Sequence, residues 1–207
     1  MTKLDINKAF HSFFGCSLEK RNVVIITNIN PIYEGILSSS DTLVNEYRGF
    51  YKIAEIIYQS RSLYVAKINP GNCIVDCIRL LKNTCRKIIF MGIAASLNPN
   101  INVGDICVPK FFGYEHKVKN MERSEITIAQ TDGMIQDIDL YNELYRSGVD
   151  IVDMECCDFV TECRKYNLDF DYLVHISDEP LFGSFFYDTK PVPVDVEKML
   201  KRVFWYE

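Results

Sequence analysis

Short runs of β-branched and aromatic residues recur along this chain, each running into turn-forming residues, and most lead on to a stretch with helical spacing. Asn22 to Thr27 (NVVIIT) runs into Asn28-Ile29-Asn30-Pro31, and a helix begins within Tyr33 to Leu37. Ser62 to Ile68 is followed by Asn69-Pro70-Gly71-Asn72 and a helix over Cys73 to Leu81. Lys87 to Met91 leads into Gly92-Ile93-Ala94-Ala95-Ser96, read as a small-residue turn in which Gly92 serves either a close approach or a tight bend. Val149 to Val152 precedes a helix to Lys165, and the run Tyr172 to Ile176 breaks into Ser177-Asp178-Glu179-Pro180. Continuous apolar strands alternating with helices predict an α/β domain whose sheet is mostly parallel.

The remaining segments fit around that frame. Residues 1–21 form an amphipathic lead-in with Phe10, Phe13 and Phe14 free to dock. Leu43 to Tyr58 carries apolar residues at helical spacing, Glu125 to Thr131 reads as extended, and Ile138 to Ser147 as a helix ended by Gly148. Asn98-Pro99 and Gly104-Asp105 flank a short extended piece, and a helix over Val194 to Tyr206 closes the chain.

At 207 residues, with 48% hydrophobic and 25% charged, the chain reads as one domain over 1–207 with one sizeable core. A net charge of -5 disfavours nucleic-acid and anionic-membrane partners, which need a basic face. The apolar runs are too short to span a bilayer, and the N-terminus lacks the apolar core of a signal peptide. A cytoplasmic setting follows, and the eight cysteines are expected to be reduced thiols. Without a CxxC pair and with His11, His116 and Cys residues scattered, no metal and no cofactor are expected. Cys156, Cys157 and Cys163 are expected on the inner face of a helix. GxGxxG, GxxxxGK[ST] and GxSxG are all missing, so dinucleotide, nucleoside triphosphate and hydrolase-elbow chemistry have no support.

Two carboxylates stand out. Glu155 sits beside Met154 where a helix begins, and Asp178 ends a buried strand just before a proline, so both can face one crevice. Phe111, Phe112, Tyr114 and His116 form an aromatic cluster that is either core or, through Phe111 and Tyr114, the lining of an apolar pocket. Phe182, Phe185, Phe186 and Tyr187 either cap a ligand or pack the last helix. Taken alone, Asp178 is equally well a turn residue and Glu155 a structural carboxylate.

Four segments together resemble the nucleoside phosphorylase superfamily, closest to its methylthioadenosine/adenosylhomocysteine nucleosidase branch. They are Ile89 to Leu97 with Asn98-Pro99 and Val103-Gly104-Asp105; Gln130-Thr131-Asp132; Val152-Asp153-Met154-Glu155; and Ile176-Ser177-Asp178. The resemblance implies a mixed sheet, partly barrel-like, wrapped by helices. It implies that Asp178 is the acid acting at purine N7, that Glu155 takes the ribose hydroxyls and that Met154 packs on the sugar. Met134 falls near a base-stacking position and Ile135 where backbone groups read the base edge, with Ser177, Ala94 and Phe111 as further substrate contacts. A small-molecule nucleoside partner and a homodimer are implied in the same way.

The departures bear on the nucleophile. Where phosphorylases of the superfamily hold phosphate with arginines and a serine, this chain has Tyr33, Phe90 and Ile93. A phosphate dianion without cations is poorly stabilised, so water is the better nucleophile. Glu34 is the only carboxylate near the first strand that can orient it. The reading is therefore a nucleosidase that frees base and sugar. A phosphate-dependent phosphorylase and an inactive nucleoside-binding protein are the alternatives.

Overall fold

The computed structural model describes residues 5–16, 23–115, 125–133, 136–183 and 193–204. In chain order these form α1 (Ile6–Phe14), β1 (Val23–Thr27), α2 (Asn30–Ser39), β2 (Thr42–Arg48), β3 (Lys52–Tyr58), β4 (Arg61–Lys67) and α3 (Cys73–Leu81). There follow β5 (Lys87–Ser96), β6 (Ile106–Cys107), β7 (Phe111–Tyr114), β8 (Thr127–Gln130) and α4 (Ile138–Arg146). The last elements are β9 (Ile151–Asp153), α5 (Cys156–Lys165), β10 (Asp169–Asp178) and α6 (Val196–Phe204). No helix among the described residues is long and apolar enough to cross a membrane.

The strands build one mixed sheet in the order β2-β3-β4-β1-β5-β9-β8-β7, with β10 attached to β5 and β6 attached to β10. Parallel pairing joins β1 to β4 and β5, β10 to β5, and β8 to both β7 and β9. The links β2–β3, β3–β4, β5–β9 and β6–β10 are antiparallel. Helices cover both faces, which explains why β1 reads as an unbroken apolar run: four of its five residues are buried. One face packs Phe10 and Phe14 of α1, Ile74 and Cys77 of α3, and Phe159 and Cys163 of α5. The other packs Ile32, Tyr33 and Ile36 of α2 against Met199, Leu200 and Val203 of α6. Cys156, Cys157 and Cys163 are all buried on α5, and the eight cysteines are free thiols.

Two expectations need correction. Residues 43–58 are not helical but form the β2–β3 hairpin, turning at Gly49-Phe50. β3 buries Ala54, Ile56 and Tyr58 on one face and Ile53 on the other, and Ile57 is apolar though only half-buried, so the IAEIIY run shows no clean period of two and its apolar spacing mimics a helix. Its β-branched and aromatic content is the signal that decides for a strand. Nor is Gly92 to Ser96 a turn, because β5 runs on through Ser96. The small side chains there are what a crowded strand requires. A Cβ on Gly92 would lie 2.4 Å from the Phe90 ring, which stacks on Tyr172 with centroids 4.7 Å apart.

β5 is the shared element. β10 follows one of its edges from Lys87 to Ala95. β1 and β9 divide the other, β1 pairing as far as Phe90 and β9 running antiparallel against Ala95 and Ser96. Between Phe90 and Ala95 that edge is left without a strand, and the ends of β1 and β9 face each other across the opening. Such a split is where open α/β sheets place ligands.

Gly92→Ala is expected to lower stability by about 1–3 kcal/mol through overpacking against Phe90. Urea unfolding would show a lower midpoint at unchanged m-value. A wild-type midpoint would mean that the ring swings aside freely.

Candidate functional site

Glu155 stands two residues past the end of β9, at the N-cap of α5, with only 3% of its surface exposed. Its Oε1 accepts the Gly71 backbone N–H at 2.7 Å, from the Asn69-Pro70-Gly71-Asn72 loop after β4. The Asn28 side chain, one residue past β1, donates to the same carboxylate. Three chain segments thus meet on Glu155 in the opening beside β5. A strand, a small-residue loop and a helix form a unit that offers backbone N–H groups to an anion, and the carboxylate this loop meets is the protein's own. Its Gly71 has φ +74, in the region that favours glycine.

Asp153, the last residue of β9, organises the turn. Its Oδ1 accepts the backbone N–H groups of Glu155 and Cys156 at 3.4 and 3.1 Å, and its Oδ2 accepts the Tyr172 hydroxyl. Gln130 Oε1 takes the next two, Cys157 and Asp158 N–H, at 2.9 Å each. The orphan donors of the first turn of α5 are therefore met by side chains. Burial pushes the Asp153 carboxyl up to about 6. Burial, then the neighbouring Asp153 charge, pushes Glu155 up to about 7.

Asp178 arrives on the opposite edge of β5. The register of β10 against β5 slips between Ile176 and Asp178, so Ser177 is an extra residue and Asp178 pairs with Ala95. A bulge of this kind re-aims the side chain that follows it. Asp178 is 8% exposed, and burial, the largest cause, raises its pKa. The Ser177 hydroxyl lies 3.2 Å from the Ala94 carbonyl and also within hydrogen-bonding distance of Asp178 Oδ1. One hydroxyl has one proton. With Asp178 ionised it donates to the carboxylate; with Asp178 protonated it is free to donate to Ala94 while accepting from the acid. Val103 N–H donates to Glu179 Oε1 at 2.8 Å, tying the 98–105 loop against this strand end.

The other expected residues are placed unevenly. Met154 is half-buried in the turn between Asp153 and Glu155, and Ala94 is buried on β5 at the opening. Phe111 begins β7 and is 41% exposed. Glu34 lies on the exposed side of α2, opposite buried Ile32, Tyr33 and Ile36, and no contact among the described residues joins it to Glu155 or Asp178. Met134 and Ile135 lie outside the described residues, as do His116, Phe185, Phe186 and Tyr187. Tyr33 and Phe90, at the positions compared with phosphate ligands, are both fully buried. The Tyr33 hydroxyl donates to Glu46 at 3.1 Å. Sequence reasoning missed Asn28, Gly71, Asp153 and Tyr172 as parts of the site. Asp153 carried a signal within the segment Val152 to Glu155, as did Asn28 and Gly71 within the turn-forming stretches that end the strands before them.

No family model and no curated protein matches the sequence. Solved structures do match in fold. A purine nucleoside phosphorylase from Toxoplasma gondii, in complex with immucillin-H, superposes with a TM-score of 0.69 at 18% identity, covering 89% of this chain and 89% of that one. Futalosine hydrolase of Helicobacter pylori gives 0.65 at 17%, covering 76% and 84%. The 5'-methylthioadenosine/S-adenosyl homocysteine nucleosidase of Helicobacter pylori gives 0.63 at 17%, covering 77% and 86%. The chain thus has the nucleoside phosphorylase/nucleosidase fold, as its four segments suggested.

The raised pKa of Glu155 has a stability consequence. Between its usual 4.5 and about 7 the folded chain holds a proton that the unfolded chain has released, so this contribution to stability falls as pH rises through that window. Glu155→Gln keeps an acceptor for Gly71 but cannot ionise. Relative to wild type it is expected to gain about 1–3 kcal/mol between pH 4.5 and 8 in urea unfolding. An equal difference at both pH values would place Glu155 in solvent-like surroundings.

Proposed function

We propose that this chain, one domain over 1–207, hydrolyses the N-glycosidic bond of a purine-type nucleoside, 5'-modified nucleosides included, to free base and sugar. The observation that carries the reading is a buried carboxyl with raised pKa, Asp178, set by a bulge on one edge of β5 while a second buried carboxyl, Glu155, occupies the open edge. Cleavage passes through an oxocarbenium-like sugar and needs a proton on the departing base. Protonated Asp178 gives its proton to the base nitrogen as the C1'–N bond breaks and its electron pair leaves with the base. Ser177, no longer needed as an acceptor, then turns its proton toward the new carboxylate and stabilises it. Water adds to C1', and the proton it sheds restores Asp178. Ionised Glu155 accepts the ribose hydroxyls, with Met154 against the sugar, and places negative charge near the developing cation. Met134, Ile135, Ala94 and Phe111 complete our proposed substrate contacts.

Glu34 contributes little in this scheme: a cation-like C1' is attacked readily by water, and leaving-group protonation is the demanding step. Buried Tyr33 and Phe90 support water over phosphate. One observation favours the phosphorylase alternative. Lys67, register partner of Thr27 at the end of β1, has an ammonium whose hydrogen bond goes to the Ile68 carbonyl at 2.9 Å, and burial followed by the Lys52 charge lowers its pKa. We further take the protein to act as a cytoplasmic homodimer, in which exposed Leu43, Val44 and Phe50 of the β2–β3 hairpin become covered.

Base release from a panel of purine and 5'-modified nucleosides, with and without phosphate, tests the reading. Free sugar independent of phosphate is the expected product, and sugar 1-phosphate would give the role of nucleophile to phosphate. Asp178→Asn is expected to lower turnover by about 10²–10⁴-fold while nucleoside binding persists. Release from no nucleoside, with binding retained by wild type, would leave a binding protein.

A further inference from the structure

Asp153 has no role in the scheme above, yet it is buried, charged and in contact with the turn that carries Glu155. We infer that Asp153 is a positioning residue for the sugar-binding carboxylate, fixing the turn on which Glu155 stands and setting the charge against which Glu155 ionises. This inference rests on the reading of Glu155 as the group that takes the ribose hydroxyls.

The geometry of Asp153 is saturated. Its carboxylate receives the backbone N–H of Glu155, the backbone N–H and thiol of Cys156, and the Tyr172 hydroxyl. Tyr172 is itself immobilised, stacked on Phe90 at 4.7 Å and edge-on to Phe112 at 5.7 Å. A rigid aromatic layer therefore holds Asp153, and Asp153 holds the peptide groups that aim Glu155. A helix cap alone asks for less. A serine or asparagine would satisfy the same N–H groups without placing a second buried charge two residues from the first. That charge has an effect a neutral cap lacks, because like charges resist ionising together.

The groups facing the pair can be named element by element. Tyr172 approaches from β10 and Cys156 from α5; the Asn28 amide comes from the end of β1 and the Gly71 N–H from the loop after β4. Among the described residues no cation forms an ion pair with either acid. The two carboxyls consequently titrate as one unit with two macroscopic steps, the higher belonging mainly to Glu155. The sugar-binding carboxylate is then held partly protonated near neutral pH, and riboside binding strengthens as pH rises through the upper step.

Carbon-13 NMR of the glutamate carboxyls in the ligand-free protein tests this directly, with Glu155→Gln identifying the Glu155 resonance. Riboside affinity from pH 5 to 9 is measured in parallel, with whichever of adenosine, inosine and 5'-methylthioadenosine binds wild type most tightly. Asp153→Asn keeps an acceptor for the N–H groups and removes the charge. Its Glu155 midpoint is expected about one pH unit below that of wild type, with the affinity profile displaced equally. A lowered melting temperature with an unmoved midpoint would reduce Asp153 to a helix cap and overturn the inference. Should Asp153→Asn not fold, Tyr172→Phe serves. Without its hydroxyl donor Asp153 takes the shared proton more readily, and the Glu155 midpoint again falls; an unmoved midpoint there overturns the inference too. If the NMR midpoint moves but wild type binds no riboside, the coupling stands while the nucleoside reading and the positioning role fall together. If Glu155→Gln alters riboside binding but neither variant moves the midpoint, only the inference fails.

Discussion

One edge of a single strand is shared by two others, and the site exists because of that division. β5 offers β10 a continuous partner along one side, while on the other β1 stops at Phe90 and β9 comes in from the opposite direction at Ala95. Two strands arriving antiparallel on the same edge cannot meet without colliding. The chain leaves a gap and fills its margins with polar groups that need partners: Asn28 after β1, Asp153 at the end of β9 and Glu155 beyond it. Gly71, φ +74, closes the arrangement from the β4 side through its N–H. The carboxylates are therefore not added to a finished fold. They satisfy, and are satisfied by, backbone that the strand division leaves exposed.

Of the acids buried near this strand, Asp153, Glu155 and Asp178 have no ion-pairing cation among the described residues. Their donors are backbone N–H groups, hydroxyls, an amide and a thiol. Hydrogen bonds from neutral donors only partly offset the desolvation of a carboxylate, so all three pKa values rise. A fold selected for stability alone would place neutral or apolar groups here. Raised acids suit a site in which one carboxyl must keep its proton until a leaving group takes it, while another must bind hydroxyls without a cation competing for it.

Much of this was legible in the chain. Thr27, Lys67 and Asp178 close buried apolar runs, and the turn formers after the first two mark the strand ends that border the site. Glu155 and Asp178 were visible as acids in apolar surroundings. The hairpin over 42–58 was not, because β3 carries buried Ile53 and half-buried Ile57 besides the face formed by Ala54, Ile56 and Tyr58, and its pattern of apolar residues has lost the alternation that marks a half-buried strand. The length of β5 was hidden by its composition: glycine, alanine and serine read as a turn, whereas here they let Phe90 fold over Gly92. Asn28 was visible only as a turn former and Tyr172 only as part of an apolar run, since their roles come from partners 127 and 19 residues away along the chain, which only the strand register brings near. Glu34 shows the converse: close in sequence to the right strand end, it is turned outward by the apolar face that α2 must bury.

The proposed choice of water as nucleophile draws on the same electrostatics. An incoming phosphate dianion would have to approach C1' in a crevice whose fixed groups are buried acids, and at any pH where Glu155 is ionised it meets like charge. Arginine at the Tyr33 or Phe90 position could offset that, but both side chains are buried; the Tyr33 hydroxyl is engaged by Glu46, and the Phe90 ring is stacked on Tyr172. Lys67, at the end of β4, is a candidate cation, and its lowered pKa is that of an ammonium that burial and Lys52 already disfavour. A phosphate bound beside it would raise that pKa again. Water carries no charge. It would enter without that repulsion, and in the proposed scheme an oxocarbenium-like sugar, its leaving base protonated by Asp178, asks for nothing stronger.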